Sequence, residues 1–207
     1  ALDGDADRLI MVDALGKIYN GDQLLYLIAK DRLSYSHVAG VVGTVMTNMA
    51  LEVALNNLKI DFSRASVGDR YVLEMLKEKG WLIGGESSGH IICLDKHTTG
   101  DGIISALQVL SALCRHKTTL SDFLSDLKLF PQTLVNVKVV PGFNWKENQE
   151  ILKEKECVEK ELGDRGRVLI RPSGTEPLIR FMVEAETISD AELFSHRLAA
   201  KCPGIVL

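Results

Sequence analysis

The chain has 207 residues, 46% of them hydrophobic and 25% charged, a balance that suits a soluble globular protein of one large or two small domains. Lys and Arg total 24 against 28 Asp and Glu, a net charge of −4, so a nucleic-acid surface is not indicated and an anionic ligand must be held by local positive groups. No apolar run reaches the ~18 residues of a membrane span, and Cys93, Cys114, Cys157 and Cys202 form no CxxC pair, which argues against a zinc site or disulfide framework and for free thiols in a reducing cytosol.

The start, Ala1-Leu2-Asp3, has the form of neither a signal peptide nor an initiator Met, so the sequence is expected to begin inside a larger protein. Leu9 to Asp13 predicts a short buried strand, and Gly16, Asn20 and Gly21 mark turns. Asp22 is expected to cap a helix over Gln23 to Arg32. Residues 1–37 together read as the tail of an α/β domain. Strands alternate with helices from 38 to 130: strand Val38–Val45, helix Asn48–Leu58, strand Phe62–Val67, helix Asp69–Lys79 ended by Gly80, strands Trp81–Gly84 and His90–Leu94, and helix Asp101–Arg115. Phe130-Pro131 breaks this pattern. A strand over Leu134–Val140, a charged helix over Trp145–Leu162, strands Arg167–Ile170 and Leu178–Glu186, and a closing helix Ala191–Lys201 make a β-α-β-β-α order over 131–207. The fold class is therefore α/β: a mixed-sheet α/β domain, preceded by the tail of another and followed by a small α+β domain.

Three polar turns carry the candidate chemistry. In Asp3-Gly4-Asp5-Ala6-Asp7-Arg8 three carboxylates alternate with small residues, so a tight loop can aim them at one point. Each close carboxylate pair repels by about 1 kcal/mol in water and about 4 kcal/mol under partial screening. A hard divalent cation such as Mg²⁺, together with Arg8, would neutralise them. An EF-hand is excluded, because Arg8 stands where its loop needs Gly and Ala14 where it needs Glu. A solvated acidic turn is the plain reading, but the apolar strand that follows favours a rigid metal loop.

Gly84-Gly85-Glu86-Ser87-Ser88-Gly89-His90 lies between two apolar strands. Its carboxylate and hydroxyls suit paired hydrogen bonds to vicinal sugar hydroxyls, and its spacing suits an ordinary hairpin turn equally well. His90 is a candidate acid/base or a hydrogen-bonded strand histidine. In Arg171-Pro172-Ser173-Gly174-Thr175-Glu176-Pro177, Arg171 offers a bidentate fork, Ser173 and Thr175 offer hydroxyls, and the backbone around Gly174 can form an anion nest, with Arg180 as a second cation. Arg70, at a predicted helix start, reads equally as a substrate contact or a cap. Thr98 to Gly102 reads as a loop and cap.

In this order and at these separations the three turns resemble the α-D-phosphohexomutase superfamily over essentially the whole chain. DGDADR is similar to its metal loop, GESSGH to its sugar loop and RPSGTEP to its phosphate loop. The stretches VGTVMTNMALE, ASVGDRYVLE and LDKHTTGDG resemble its bacterial phosphoglucosamine mutase subgroup. The resemblance implies that Asp3, Asp5 and Asp7 ligate Mg²⁺ and that Arg8 helps to hold a phosphorylated serine. It implies that Glu86 and Ser88 contact sugar hydroxyls, that Arg171, Ser173, Gly174, Thr175 and Arg180 hold the substrate's non-reacting phosphate, and that His90 is a proton shuttle.

One departure matters: the family's Ser-His-Asn-Pro stretch, which carries the phosphorylated serine, does not occur here. The chain is thus expected to be a C-terminal fragment, inactive alone, whose partners are a hexose phosphate and the missing N-terminal domains of the same cytosolic enzyme. The implied conversion is glucosamine 6-phosphate to glucosamine 1-phosphate through a sugar bisphosphate. The alternatives are a glucose- or mannose-phosphate mutase of the same superfamily, a non-catalytic phosphosugar-binding module, and a phosphohydrolase using Asp3 as nucleophile.

Overall fold

The computed structural model describes residues 1–173 and 176–207, and these form two units, Ala1–Leu129 and Phe130–Leu207. In the first unit a small antiparallel ribbon, β1 (Met11–Val12) and β2 (Ile18–Tyr19), leads into α1 (Gly21–Leu33). Then follow β3 (Gly40–Thr44), α2 (Met49–Asn57), β4 (Asp61–Ala65), α3 (Asp69–Lys79), β5 (Ile83–Gly85), β6 (Ile91–Cys93), α4 (Gly102–His116) and the short α5 (Leu120–Phe123).

The sheet order is β4-β3-β5-β6. β3 runs parallel to β4 and β5, each reached through a crossover helix, and β6 returns antiparallel to β5. The expected mixed-sheet α/β architecture is present. All five residues of β3 are buried, which requires cover on both faces of the sheet and explains why its sequence runs apolar without alternation. Val42 and Ile92, in register across Gly84, face Val72 and Leu76 of α3 in one cluster. α1 packs against β5, α2 and α4.

The second unit contains β7 (Gln132–Lys138), α6 (Gln149–Leu162), β8 (Gly166–Pro172), β9 (Leu178–Ala185), α7 (Ile188–Ala199) and β10 (Ile205–Val206). Its sheet, β10-β7-β9-β8, is antiparallel throughout. The expected β-α-β-β-α order is present with one further strand. Val135 and Val137 of β7, Phe181 and Val183 of β9, Ile151 and Val158 of α6 and Leu198 of α7 form its core.

Several boundaries differ from the sequence reading for physical reasons. The cap of α1 is Asn20, not Asp22: Asn20 and Gln23 form a reciprocal capping box, while Asp22 is 1% exposed and accepts the Asn48 N–H. Helix α3 starts after Gly68, without a side-chain cap. The single helix expected over Trp145–Leu162 is broken at Asn148, whose side chain accepts from Glu150 and Ile151 and so starts α6 after a short 3-10 turn. Among the described residues no helix is long and apolar enough to cross a membrane.

Candidate functional site

The acidic loop is a closed turn. Leu2 and Leu9 bridge its ends, and the Ala6 N–H reaches the Asp3 carbonyl. Ala6 sits at φ +59, a left-handed conformation that costs about 1–2 kcal/mol for a residue with a side chain. A neighbouring segment holds it there, because the Gly102 N–H donates to the Ala6 carbonyl at 2.9 Å. In this turn Asp3, Asp5 and Asp7 each present a carboxylate oxygen within 4.8 Å of the others. Arg8 Nε stands 3.6 Å from Asp3 and 3.8 Å from Asp7.

These residues fit a hard divalent cation. Their donors are all oxygens, and Asp7 Oδ1 is buried without a hydrogen-bond partner, with Arg8 Nε 3.8 Å away and beyond hydrogen-bond reach. Among the described residues no other trio of His, Cys, Asp or Glu groups converges in this way.

The Glu86–His90 turn locks onto that loop. Arg8 and His90 form a bridge, the Leu9 N–H donates to the Gly89 carbonyl at 3.0 Å, and the Gly21 N–H at the start of α1 donates to the Ser87 carbonyl at 3.0 Å. Gly89 has φ +98, and a Cβ there would lie 2.2 Å from the Leu9 carbonyl oxygen, so only glycine lets the two backbones meet. Ser88 is exposed; Glu86 is half-buried and accepts the Gly68 N–H through Oε1 at 3.0 Å.

His90 is 4% exposed, and its Nδ1 is 3.0 Å from Asp7 Oδ2. The ring's Nε2 is buried, without a hydrogen-bond partner, and 4.0 Å from Asp69 Oδ2. Gly100 walls this ring in, since a Cβ there would lie 2.0 Å from Nε2. Sequence reasoning took residues 98–102 for a loop and cap. Asp101 does cap α4, but Gly100 and Gly102 also support His90 and the acidic loop. Arg70 pairs with Glu74 on its own helix at 2.8 Å and is 80% exposed.

In the second unit Arg171 on β8 and Arg180 on β9 are direct cross-strand partners. Like charges placed opposite each other destabilise a sheet, and an anion held between them would relieve the repulsion. Burial, then the charge of Arg180, lowers the Arg171 pKa from its ordinary value. Arg180 Nη2 donates to Ser173 Oγ at 3.4 Å, and the Ser173 N–H donates to the Leu178 carbonyl at 2.8 Å to close the loop. Gly174 and Thr175, expected to complete the loop, lie outside the described residues.

Residues 20–130 match the phosphoglucomutase/phosphomannomutase alpha/beta/alpha domain III, and residues 134–201 match the C-terminal domain of the same family. The chain belongs to the phosphoglucomutase/phosphomannomutase family. The phosphoglucosamine mutase of Janthinobacterium sp. (strain Marseille) is 64% identical to it over 97% of the chain and 45% of the relative. That of Herminiimonas arsenicoxydans is 66% identical over 97% of the chain and 45% of the relative. The chain thus spans about 45% of the length of these curated relatives. The Aspergillus fumigatus N-acetylphosphoglucosamine mutase, solved in complex with GlcNAc-6P and magnesium, superposes with a TM-score of 0.80 at 22% identity, over 97% of this chain and 51% of that one, which shows a shared fold.

The phosphoglucomutase/phosphomannomutase domain matches divide the polar turns between the two units. The domain III match contains the Glu86–His90 turn, and the C-terminal match contains the Arg171–Arg180 hairpin. The acidic loop precedes both matches, yet backbone hydrogen bonds attach it to the domain III unit.

Proposed function

We propose that the whole protein to which this chain belongs is a phosphosugar mutase that interconverts glucosamine 6-phosphate and glucosamine 1-phosphate, by way of a phosphoserine and a sugar bisphosphate. The observation that carries this reading is the joining of the acidic loop to the Glu86–His90 turn, which sets three converging carboxylates beside a polar turn whose Ser88 is exposed and whose Glu86 is half-buried. The names of the similar curated relatives support the amino sugar as substrate.

In this reading Asp3, Asp5 and Asp7 hold Mg²⁺, which when bound supplies positive charge against the charge that develops on a phosphoryl group in transfer. Arg8, already turned towards two of these carboxylates, orients the phosphorylated serine. Glu86 and Ser88 take sugar hydroxyls, Glu86 on a carboxylate whose position the Gly68 N–H fixes. Arg171, Ser173, Gly174, Thr175 and Arg180 take the phosphate that does not react. A pair of arginines grips a phosphate without reading the ring, so the same loop serves both ends of the bisphosphate. His90 Nε2 is the atom a proton would reach or leave. The sequence holds no Ser-His-Asn-Pro stretch, so turnover belongs to the whole protein, in the cytosol, and not to these 207 residues.

The test compares the full-length protein with this chain. With a glucose 1,6-bisphosphate activator, the full-length protein is expected to convert glucosamine 6-phosphate faster than glucose 6-phosphate or mannose 6-phosphate. Replacing Asp5 by Asn is expected to lower kcat by about 10²–10³, the effect of losing one electrostatic stabiliser of the transition state. The chain alone is expected to turn over nothing. Preference for glucose or mannose phosphate would move the protein to another member of the family, and turnover by the isolated chain would overturn the reading of its missing nucleophile.

A further inference from the structure

A cavity of about 360 Å³ opens where β3 and β5 begin, lined by Gly40 and Ile83, the first residues of those strands. No residue of the acidic loop or of the Glu86–His90 turn lines it. β5 leads away from it and ends at Gly85, next to Glu86. The volume lies in the range of small-molecule sites, which are mostly apolar with a few placed polar groups. Here the apolar wall is Val38, Ile83 and Trp81. The Trp81 ring lies so close over Gly40 that a Cβ there would sit 2.4 Å from it, which fixes the ring.

The polar wall is Arg32, Asp95 and Lys96. Arg32, in the last turn of α1, has a side chain only 6% exposed, and its Nη1 donates to Asp95 Oδ1 at 2.7 Å. Its Nη2 is buried without a hydrogen-bond partner. Lys96 Nζ is 3.0 Å from the other oxygen of Asp95. Two cations share one carboxylate, which leaves one positive charge uncompensated beside an unused donor. Such a buried donor costs about 1–3 kcal/mol until an acceptor meets it, and more on a charged group. A surplus cation beside an apolar wall suits an organic anion, because a carboxylate answers the charge and an apolar body answers the wall.

We propose that this cavity is a second ligand site that binds a small carboxylate carried on a flat apolar body. The carboxylate meets Lys96 beside the part of Arg32 that lines the cavity, and the body lies against Val38, Ile83 and Trp81. The proposal stands independently of the function proposed above, since it shares no residue with the metal, sugar or phosphate loops.

Titration of the 207-residue chain with 2-naphthoate, followed through Trp81 fluorescence in a Trp145→Phe background, tests it. Saturable quenching is expected. Neutral 2-naphthamide is expected to bind at least about tenfold more weakly, the worth of a charge-assisted hydrogen bond. Lys96→Gln changes a side chain 45% exposed, so its fold is expected to persist while its affinity for 2-naphthoate drops about tenfold. Arg32→Gln is expected to abolish the quenching, with retention of the far-UV circular dichroism spectrum as its control. Absence of saturation into the millimolar range, equal binding of the amide, or unchanged binding in Lys96→Gln would overturn the site.

Discussion

Asp7 depends on a side chain 83 positions away. His90 Nδ1 reaches its carboxylate at 3.0 Å, and the ring that does so is buried and backed by Gly100. If Asp7 holds a cation, as proposed, one of its oxygens must stay turned to it. The bond to His90 occupies Oδ2 and leaves Oδ1, the oxygen without a hydrogen-bond partner. A side chain that orients a metal ligand in this way typically contributes 10–100-fold to affinity, so His90→Ala is expected to weaken divalent-cation binding by about that factor. Titration of the 207-residue chain with Mn²⁺, read by calorimetry, measures it, and equal affinity in the two proteins would remove His90 from the metal site. The sequence marked His90 as a candidate acid/base or a hydrogen-bonded strand histidine; its partner, Asp7, became visible when the two loops met.

At the scale of elements, α1 shows why some features were legible and others were not. Its apolar run fixed the helix within about two residues at each end, because residues 21–33 are governed by local periodicity. Its cap was misassigned because Asp22 has the residue type of an N-cap, yet its carboxylate is used by Asn48, 26 positions on. Asn20, which the sequence reading took for a turn, does the capping instead. Asn20→Ala is expected to cost about 1 kcal/mol of stability, seen as a lower urea midpoint with an unchanged slope. It also loosens the helix start whose Gly21 N–H carries the Ser87 carbonyl, so the sugar loop should exchange its amide hydrogens faster than in the parent chain. The three polar turns stood out as candidates through their joint resemblance to the family's loops, and the roles drawn from that resemblance are proposals. The sheet order β4-β3-β5-β6 was not, because strand pairing is set by long-range packing. β10 and α5 are too short for periodicity to announce them.

At the scale of the molecule, a chain with net charge −4 keeps Arg171 and Arg180, the proposed phosphate pair, in a hairpin of a unit that has its own hydrophobic core. That core draws on three strands, β7, β8 and β9, and two helices, all within Phe130–Leu207. A piece of this size with a continuous core can fold alone, but its stability is expected to be only about 4–12 kcal/mol on the usual scale per residue. Expressed by itself, Phe130–Leu207 is therefore expected to unfold in urea in one cooperative transition. Phe181 is fully buried in β9, and Phe181→Ala there is expected to remove about 3–5 kcal/mol through lost burial and the cavity left behind, a large fraction of the total. Leu193→Ala on α7, where the side chain is 54% exposed, is expected to stay within about 0.5 kcal/mol of the parent. Urea titrations of the three proteins by circular dichroism decide the point. A parent piece without a cooperative transition would show that the core of Val135, Phe181 and Leu198 does not suffice to hold the arginine hairpin in register, and that Arg171 and Arg180 face each other only within the longer chain.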